Sequence, residues 1–150
     1  MLVSLVIGKK ILIFIFSSRF KGILSNFNRM SNYKDLEIYQ LAFVLAKKVH
    51  FASLKLPSFE LYEQGSQIRR SSKSIKDQIA EGYGRRRYKP DLIKFLIYAQ
   101  SSCDETSSQL EMIMELYPDL SDFTELPPEY DNLGKKINSY IQYVESNWKT

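Results

Sequence analysis

The sequence predicts an all-α protein, an antiparallel up-down-up-down four-helix bundle, and three observations predict it. Apolar residues recur at three- and four-residue steps in four separate stretches between Tyr33 and Thr150. Six glycines and five prolines in 150 residues are too few for a β-rich chain full of tight turns. No stretch of that region alternates as a strand does; the one strand-like run, Ile11–Phe16, lies outside it. Amphipathic helices joined by short loops bury their stripes against one another, and a chain of this length holds one domain with a sizeable core.

The first helix is expected from about Asp35 to Leu54. Leu36, Tyr39, Ala42, Phe43, Ala46, Val49 and Ala52 form its stripe, and Asp35 or Asn32 can cap its start. Pro57 biases Leu56 away from helix and ends it. The second helix is expected to follow at once, with Ser58 as N-cap and Glu60 in the first turn, and to reach Ala80–Tyr83. Ile68, Ser72, Ile75, Ile79 and Gly82 keep the four-three spacing of a left-handed bundle seam, and Ser71, Ser72 and Ser74 admit a close neighbour. Gly82 and Gly84 are expected to stop it.

The third helix begins near Pro90, with Asp91 at its positive end. It carries Leu92, Phe95, Leu96, Ala99, Ser102, Cys103, Thr106, Leu110, Ile113 and Met114, and ends near Tyr117-Pro118. The fourth runs from about Pro128 to Trp148, with Tyr130, Leu133, Ile137, Tyr140, Ile141, Val144 and Trp148 on one side. Internal repeats and low-complexity tracts are absent.

Two segments of unequal character follow: residues 1–29, an apolar and basic extension expected to be a misassigned start or disordered, and the bundle over residues 30–150. The formal charge of +4 belongs to the first, because Lys9, Lys10, Arg19, Lys21 and Arg29 stand there without an acid and the remainder sums to about −1. The high pI is therefore no evidence for nucleic acid. Lys9 and Lys10 interrupt residues 1–29, and the apolar run Ile11–Phe16 is far short of the roughly 20 residues a spanning helix needs. A signal peptide would want a small-x-small site after Phe16, and none is there. Met30 precedes a polar lead into an amphipathic helix and looks like the natural start, with a membrane-associated extension as the competing reading; mass spectrometry of the endogenous N-terminus separates the two. One cysteine, Cys103, excludes an internal disulfide and fits a reducing, cytoplasmic setting.

At the second helix the residues meet a family. Gln67-Ile68-Arg69-Arg70-Ser71-Ser72-Lys73-Ser74-Ile75, then Ile79-Ala80-Glu81-Gly82-Tyr83-Gly84-Arg85, resembles the 23S rRNA intervening-sequence protein family of small bacterial four-helix bundles. Phe95-Leu96, Ala99, Ser101-Ser102, Glu105, Leu110 and the opening Tyr33–Ala42 match as well. Tyr39 stands where the family usually has Trp, Gln78 where it has Asn, and Ser71 and Ser72 where it has Ala. The family is also similar to the accessory protein of diversity-generating retroelements, a basic pentameric barrel that works with a reverse transcriptase and nucleic acid. The resemblance implies a homopentamer, nucleic-acid binding (RNA or DNA), a reverse transcriptase or other protein as partner, and no small-molecule substrate.

The candidate nucleic-acid-binding residues are Arg69, Arg70, Lys73, Lys76, Arg85, Arg86, Arg87, Lys89 and Lys94, with Asp77, Glu81 and Asp91 the only acids among them. Arg69, Lys73 and Lys76 run one residue out of step with the core stripe and flank it. Arg85-Arg86-Arg87 sits in a loop with Gly82, Gly84, Tyr83 and Tyr88, where glycines let a backbone approach phosphate and tyrosines can stack on bases. Against this, Phe95 to Gly134 holds no Lys or Arg and nine acids. The cations can instead face those anions, within a subunit or between neighbours, with Arg69 or Arg70 paired to Glu105 or Glu81. Both readings stand at this point.

No catalytic set is expected. His50 is the only histidine, placed to favour the end of the first helix, and no Ser-His-Asp grouping is suggested. Cys103 reads as a small core residue with acidic sequence neighbours. Glu111 and Glu115 lie one turn apart but lack the histidines of a di-iron bundle, so a solvated face is expected, without metal or cofactor. Gly82-Tyr83-Gly84 is no dinucleotide fingerprint: Arg87 takes the third glycine's place, and the segment leaves a helix instead of opening one.

Overall fold

A computed structural model describes residues 32–148. The expectations for residues 1–29 lie outside them. A short 3-10 turn, Tyr33–Asp35, leads into α1 (Glu37–Ser53). Then follow α2 (Gln64–Gly84), α3 (Lys89–Leu116), a second 3-10 turn (Ser121–Phe123) and α4 (Leu126–Asn147). No strand occurs among the described residues, and none of their helices is long and apolar enough to cross a membrane.

Each helix packs on the next, and α1 closes on α4. Paired residues show the directions. On α2 and α3, Ser71 meets Thr106 and Gln109, Ser74 meets Ser102, and Gly82 lies against Phe95 and Leu92. Half-exposed ion pairs Glu37–Lys136 and Lys48–Glu129, both 2.7 Å, descend α4 as they climb α1. Neighbouring helices thus run in opposite directions, as short connections require. Such surface pairs contribute about 0.2–1 kcal/mol each, so they orient the helices more than they hold them.

The core is the meeting of the four stripes. The whole predicted seam of α2, from Ile68 to Gly82, is buried, as are Leu92, Leu96, Ala99, Cys103, Leu110 and Ile113 of α3. Tyr130, Leu133, Ile137 and Val144 of α4 are fully enclosed. The hydroxyls at the α2–α3 contact are mutually satisfied. Ser71 Oγ donates to Gln109 Oε1 at 2.9 Å and lies 2.9 Å from Thr106 Oγ1, while Thr106 donates to the Ser102 carbonyl at 2.8 Å. Two small helix faces thereby approach without burying an unpaired hydroxyl.

Three expectations are corrected. On α1 the buried row is Ile38, Ala42, Leu45, Ala46, Val49 and Ala52, whereas Phe43 is 43% exposed and Tyr39 half-buried. Leu36, Ala42, Ala46, Val49 and Ala52 are buried as expected, and Ile38 and Leu45 enter the core where Tyr39 and Phe43 were expected. The second helix does not start at Ser58: residues 58–63 form turns, and α2 opens only at Gln64. The Glu60 carbonyl accepts the N–H groups of Glu63 and Gly65 at 3.2 and 2.8 Å, folding the segment back on itself. Finally, α2 runs through Gly82 to Gly84, and no described glycine has positive φ. Gly82 is there for closeness: a Cβ would stand 2.9 Å from Phe95 Cβ.

Candidate nucleic-acid interface

The nine candidate cations separate into groups once their surroundings are known. Arg69 turns inward to hold the α1–α2 connection. One guanidinium nitrogen donates to Ser53 Oγ at 3.0 Å and the other to the Leu61 carbonyl at 2.7 Å. Gly65 leaves room for it, since a Cβ there would stand 2.9 Å from Arg69 Nη1 and 3.0 Å from the Glu60 carbonyl. Glu60, 8% exposed, completes the knot. Its carboxylate accepts from the Gln64 backbone N–H at 3.3 Å, capping α2, and from the Tyr117 hydroxyl at 2.8 Å. Partial burial, then that hydrogen bond and the carboxylate's charge, hold the Tyr117 phenol above its usual range.

Neither the Glu60 cap nor the Tyr117 contact was foreseen from sequence. A Glu four residues ahead of a helix is a weak signal, and its partner lies 57 residues away.

Arg85, Arg86 and Arg87 follow α2, and each is exposed. Arg85 pairs with Glu81 one turn back at 2.9 Å and lies 4.9 Å from the Phe95 ring centre. Arg86 covers the Tyr83 ring at 4.2 Å and donates to the Tyr83 carbonyl at 3.0 Å. Tyr83 is 4% exposed, so it offers no platform to a base; Tyr88, 61% exposed, is the open ring of this loop. Lys89 donates to the Glu145 carbonyl at 2.6 Å, and the Trp148 indole N–H donates to the Arg86 carbonyl at 3.2 Å, which anchors the loop on the end of α4. Lys94 lies 5.9 Å from the Tyr98 ring.

Lys73 and Lys76 face α1 instead of the loop. They line a groove of about 410 Å³ with Phe43, Ala46, Lys47, His50 and Phe51. Lys76 pairs with its own neighbour Asp77 at 2.5 Å. Arg70, Lys73 and Arg87 have no ion-pair partner among the described residues.

The competing reading, in which the second helix's cations pair with the third helix's anions, is not met within the subunit: no ion pair joins α2 to α3 among the described residues. Asp104 and Glu105 accept instead from Gln100 and Gln109 on their own helix, at 3.2 and 3.1 Å, and Glu111 and Glu115 are exposed. Cys103 is buried between α3 and α4, 3.5 Å from the Tyr130 carbonyl. Burial, with Asp104 and Asp131 adding to it, pushes its thiol up to about 12, which keeps it protonated and poorly nucleophilic near neutrality. His50 does not cap α1; its ring lies edge-on to Phe51 at 5.4 Å, and its buried Nδ1 has no hydrogen-bond partner.

No curated protein matches this chain. Residues 34–139 match the family described as 23S rRNA-intervening sequence protein, a match that covers the whole of α1, α2 and α3 and more than half of α4. The chain belongs to the 23S rRNA-intervening sequence protein family.

Proposed function

We propose that this chain is a non-catalytic, RNA-associated accessory protein that works as a cytoplasmic homo-oligomer, a pentameric ring being the form its resemblances imply. The family's description ties its members to ribosomal RNA insertions. The observation that carries the reading is the uncompensated charge of α2 and its loop. Arg70, Lys73 and Arg87 lack an ion-pair partner among the described residues, and the acids of α3 leave α2's cations alone. Exposed, unpaired cations are what a phosphate backbone neutralises on binding.

The test is fluorescence anisotropy of labelled RNA against the full chain over a salt series. Affinity is expected to fall steeply with salt, and no binding at low salt would sink the reading.

A second reading, an oligomeric protein-interaction scaffold, rests on a different surface. The outside of α3 combines exposed Ile97, Met112 and Leu116 with exposed Glu105, Glu111 and Glu115. Acids repel a phosphate backbone, so that face suits another subunit or a protein such as a reverse transcriptase. Light scattering of the full chain tests it: a monomer would remove the ring.

A further inference from the structure

α1 and α2 each present a second row of side chains, one position out of step with the row that fills the core. On α2 the core row is Ile68, Ser72, Ile75 and Ile79, and the offset row is Arg69, Lys73 and Lys76. On α1 the core row is Ile38, Ala42, Leu45, Val49 and Ala52, and the offset row includes Phe43, Lys47, His50 and Phe51. The two offset rows face each other across the groove of about 410 Å³. Its volume lies in the range of small-molecule sites, roughly 300–1,000 Å³. Its lining holds three lysines, one histidine, two phenylalanines and no acid.

The phenylalanines are only partly used within the chain: Phe43 stacks against Tyr39, ring centres 6.3 Å apart, and Phe51 meets the His50 ring edge-on. Phe43 is 43% exposed and Phe51 65% exposed, on a helix whose core row is already full. Large aromatic surface kept beside three lysines, with no acid in the lining, fits a ligand with flat apolar faces and negative charge at short intervals, which describes a nucleic-acid strand. The spacing narrows the class. Phe43 and Phe51 are eight residues apart on one helix, about 12 Å. Stacked bases of a duplex strand are about 3.4 Å apart, and their faces are hidden. Rings set that far apart in an open groove can be reached only by bases that have left the stack.

We infer that the α1–α2 groove seats unpaired bases of a single-stranded RNA segment on Phe43 and Phe51, with the flanking phosphates on Lys47, Lys73 and Lys76. This rests on the RNA-associated reading and deepens it, moving the centre of recognition from the Arg85–Lys89 loop to the outside of α1. Lys73 has no ion-pair partner among the described residues, so its ammonium group is available to phosphate; Lys76 is held by its neighbour Asp77, and a phosphate would take that carboxylate's place. Lys47 lies 5.5 Å from the Phe43 ring and can pass from that ring to a phosphate beside a base stacked there. Arg70 is exposed on α2, one residue from Arg69, and extends the charge toward the α1–α2 connection.

The experiment compares a fluorescein-labelled 12-nucleotide uridine strand with an RNA duplex of equal length, both titrated with the full chain over the same salt series, beginning at low salt. Phe43→Ala/Phe51→Ala is expected to weaken single-strand binding at least about fivefold, the loss that removing a stacked base produces, and to leave duplex binding unchanged. Phe51→Tyr, which keeps the stacking face, is expected to bind as the parent does. Lys73→Ala is expected to lower the salt slope by about 0.7, one single-strand phosphate's worth. Because both phenylalanines lie outside the core row, far-UV circular dichroism and light scattering should not change.

Four results would overturn the inference: equal binding by the double alanine variant, preference for the duplex, equal competition by a polyglutamate peptide, or an oligomer that dissociates when the phenylalanines are removed. The last would make the groove a seat for a second copy. If the parent chain binds neither RNA, the RNA-associated reading itself fails. If it binds RNA and only Arg87→Ala weakens it, that reading stands and the groove alone is refuted.

Discussion

At its N-terminal end α2 carries Arg69, which reaches inward to Ser53 Oγ and the Leu61 carbonyl; at its C-terminal end it runs into Arg85, Arg86 and Arg87, whose side chains lie on the surface. The two ends use similar residues for different purposes. Around Arg69 the chain folds back through Glu60, Gly65 and Tyr117, and every polar group named there has a partner. Around Arg87 the backbone is a simple turn and the charge faces water. An arginine count cannot separate these uses, because the cost of leaving a buried carbonyl unpaired depends on burial and not on charge.

Substitutions at the two ends should break that comparison or sharpen it. The largest expected effect is at Arg69. Arg69→Ala removes two hydrogen bonds from a charged donor and leaves the Leu61 carbonyl without its partner, so urea denaturation is expected to show a loss of about 2–3 kcal/mol. Arg87→Ala is expected to change stability by no more than about 0.5 kcal/mol while weakening RNA binding. Comparable losses at both positions would mean that the loop arginines are also structural.

The glycines offer a second contrast. Gly65→Ala forces a Cβ to 3.0 Å from the Glu60 carbonyl and 2.9 Å from Arg69 Nη1, with an expected cost of about 1–3 kcal/mol in thermal or urea unfolding. At Gly84 a Cβ would meet nothing within 4 Å and φ is not positive. Gly84→Ala is therefore expected to be neutral or to stabilise by up to about 1 kcal/mol.

The middle of the bundle sets a third expectation. Burial raises the thiol of Cys103 from 9.0 to about 12, and burial also raises the phenols of Tyr130 and Tyr140. All three are mostly neutral in folded and unfolded chains below about pH 8. Above it the unfolded chain loses its protons first, the thiol around 9.0 and the phenols around 10.0. Stability is thus fully present below about pH 8 and declines as pH rises toward the folded values, by up to about 1.4 kcal/mol per pH unit for each group. A melting temperature unchanged between pH 8 and pH 11 would contradict the burial of these groups. At pH 8 Cys103 is expected to resist a thiol reagent until urea is added.

How much of this could be read in advance differs by element. The seam of α2 is legible because Ile68, Ser72, Ile75, Ile79 and Gly82 repeat with a bundle's own period, and all five are buried. On α1 the apolar residues are too many to define one stripe. Phe43 looks as fit for the core as Leu45, and only the position of the neighbouring helices decides that Leu45 enters and Phe43 does not. The candidate site divides the same way. Its residue types and their concentration on α2 and the following loop are visible in sequence. The inward turn of Arg69, the burial of Tyr83 and the alignment of Lys73 and Lys76 with α1 are not.

By itself the sequence determined the four helices, their antiparallel order, the separation of cations on α2 from anions on α3, and membership in a recognisable family. Those depend on local period and composition, which a linear chain carries. Tertiary structure alone decided where the second helix starts, since Glu60 needs Tyr117 from the far end of α3 to settle its buried carboxylate. It alone decided which cations are structural and which remain available, because a charge acquires its role from the groups packed beside it. It alone made a groove of two offset rows, because a groove belongs to the space between helices and to neither helix alone.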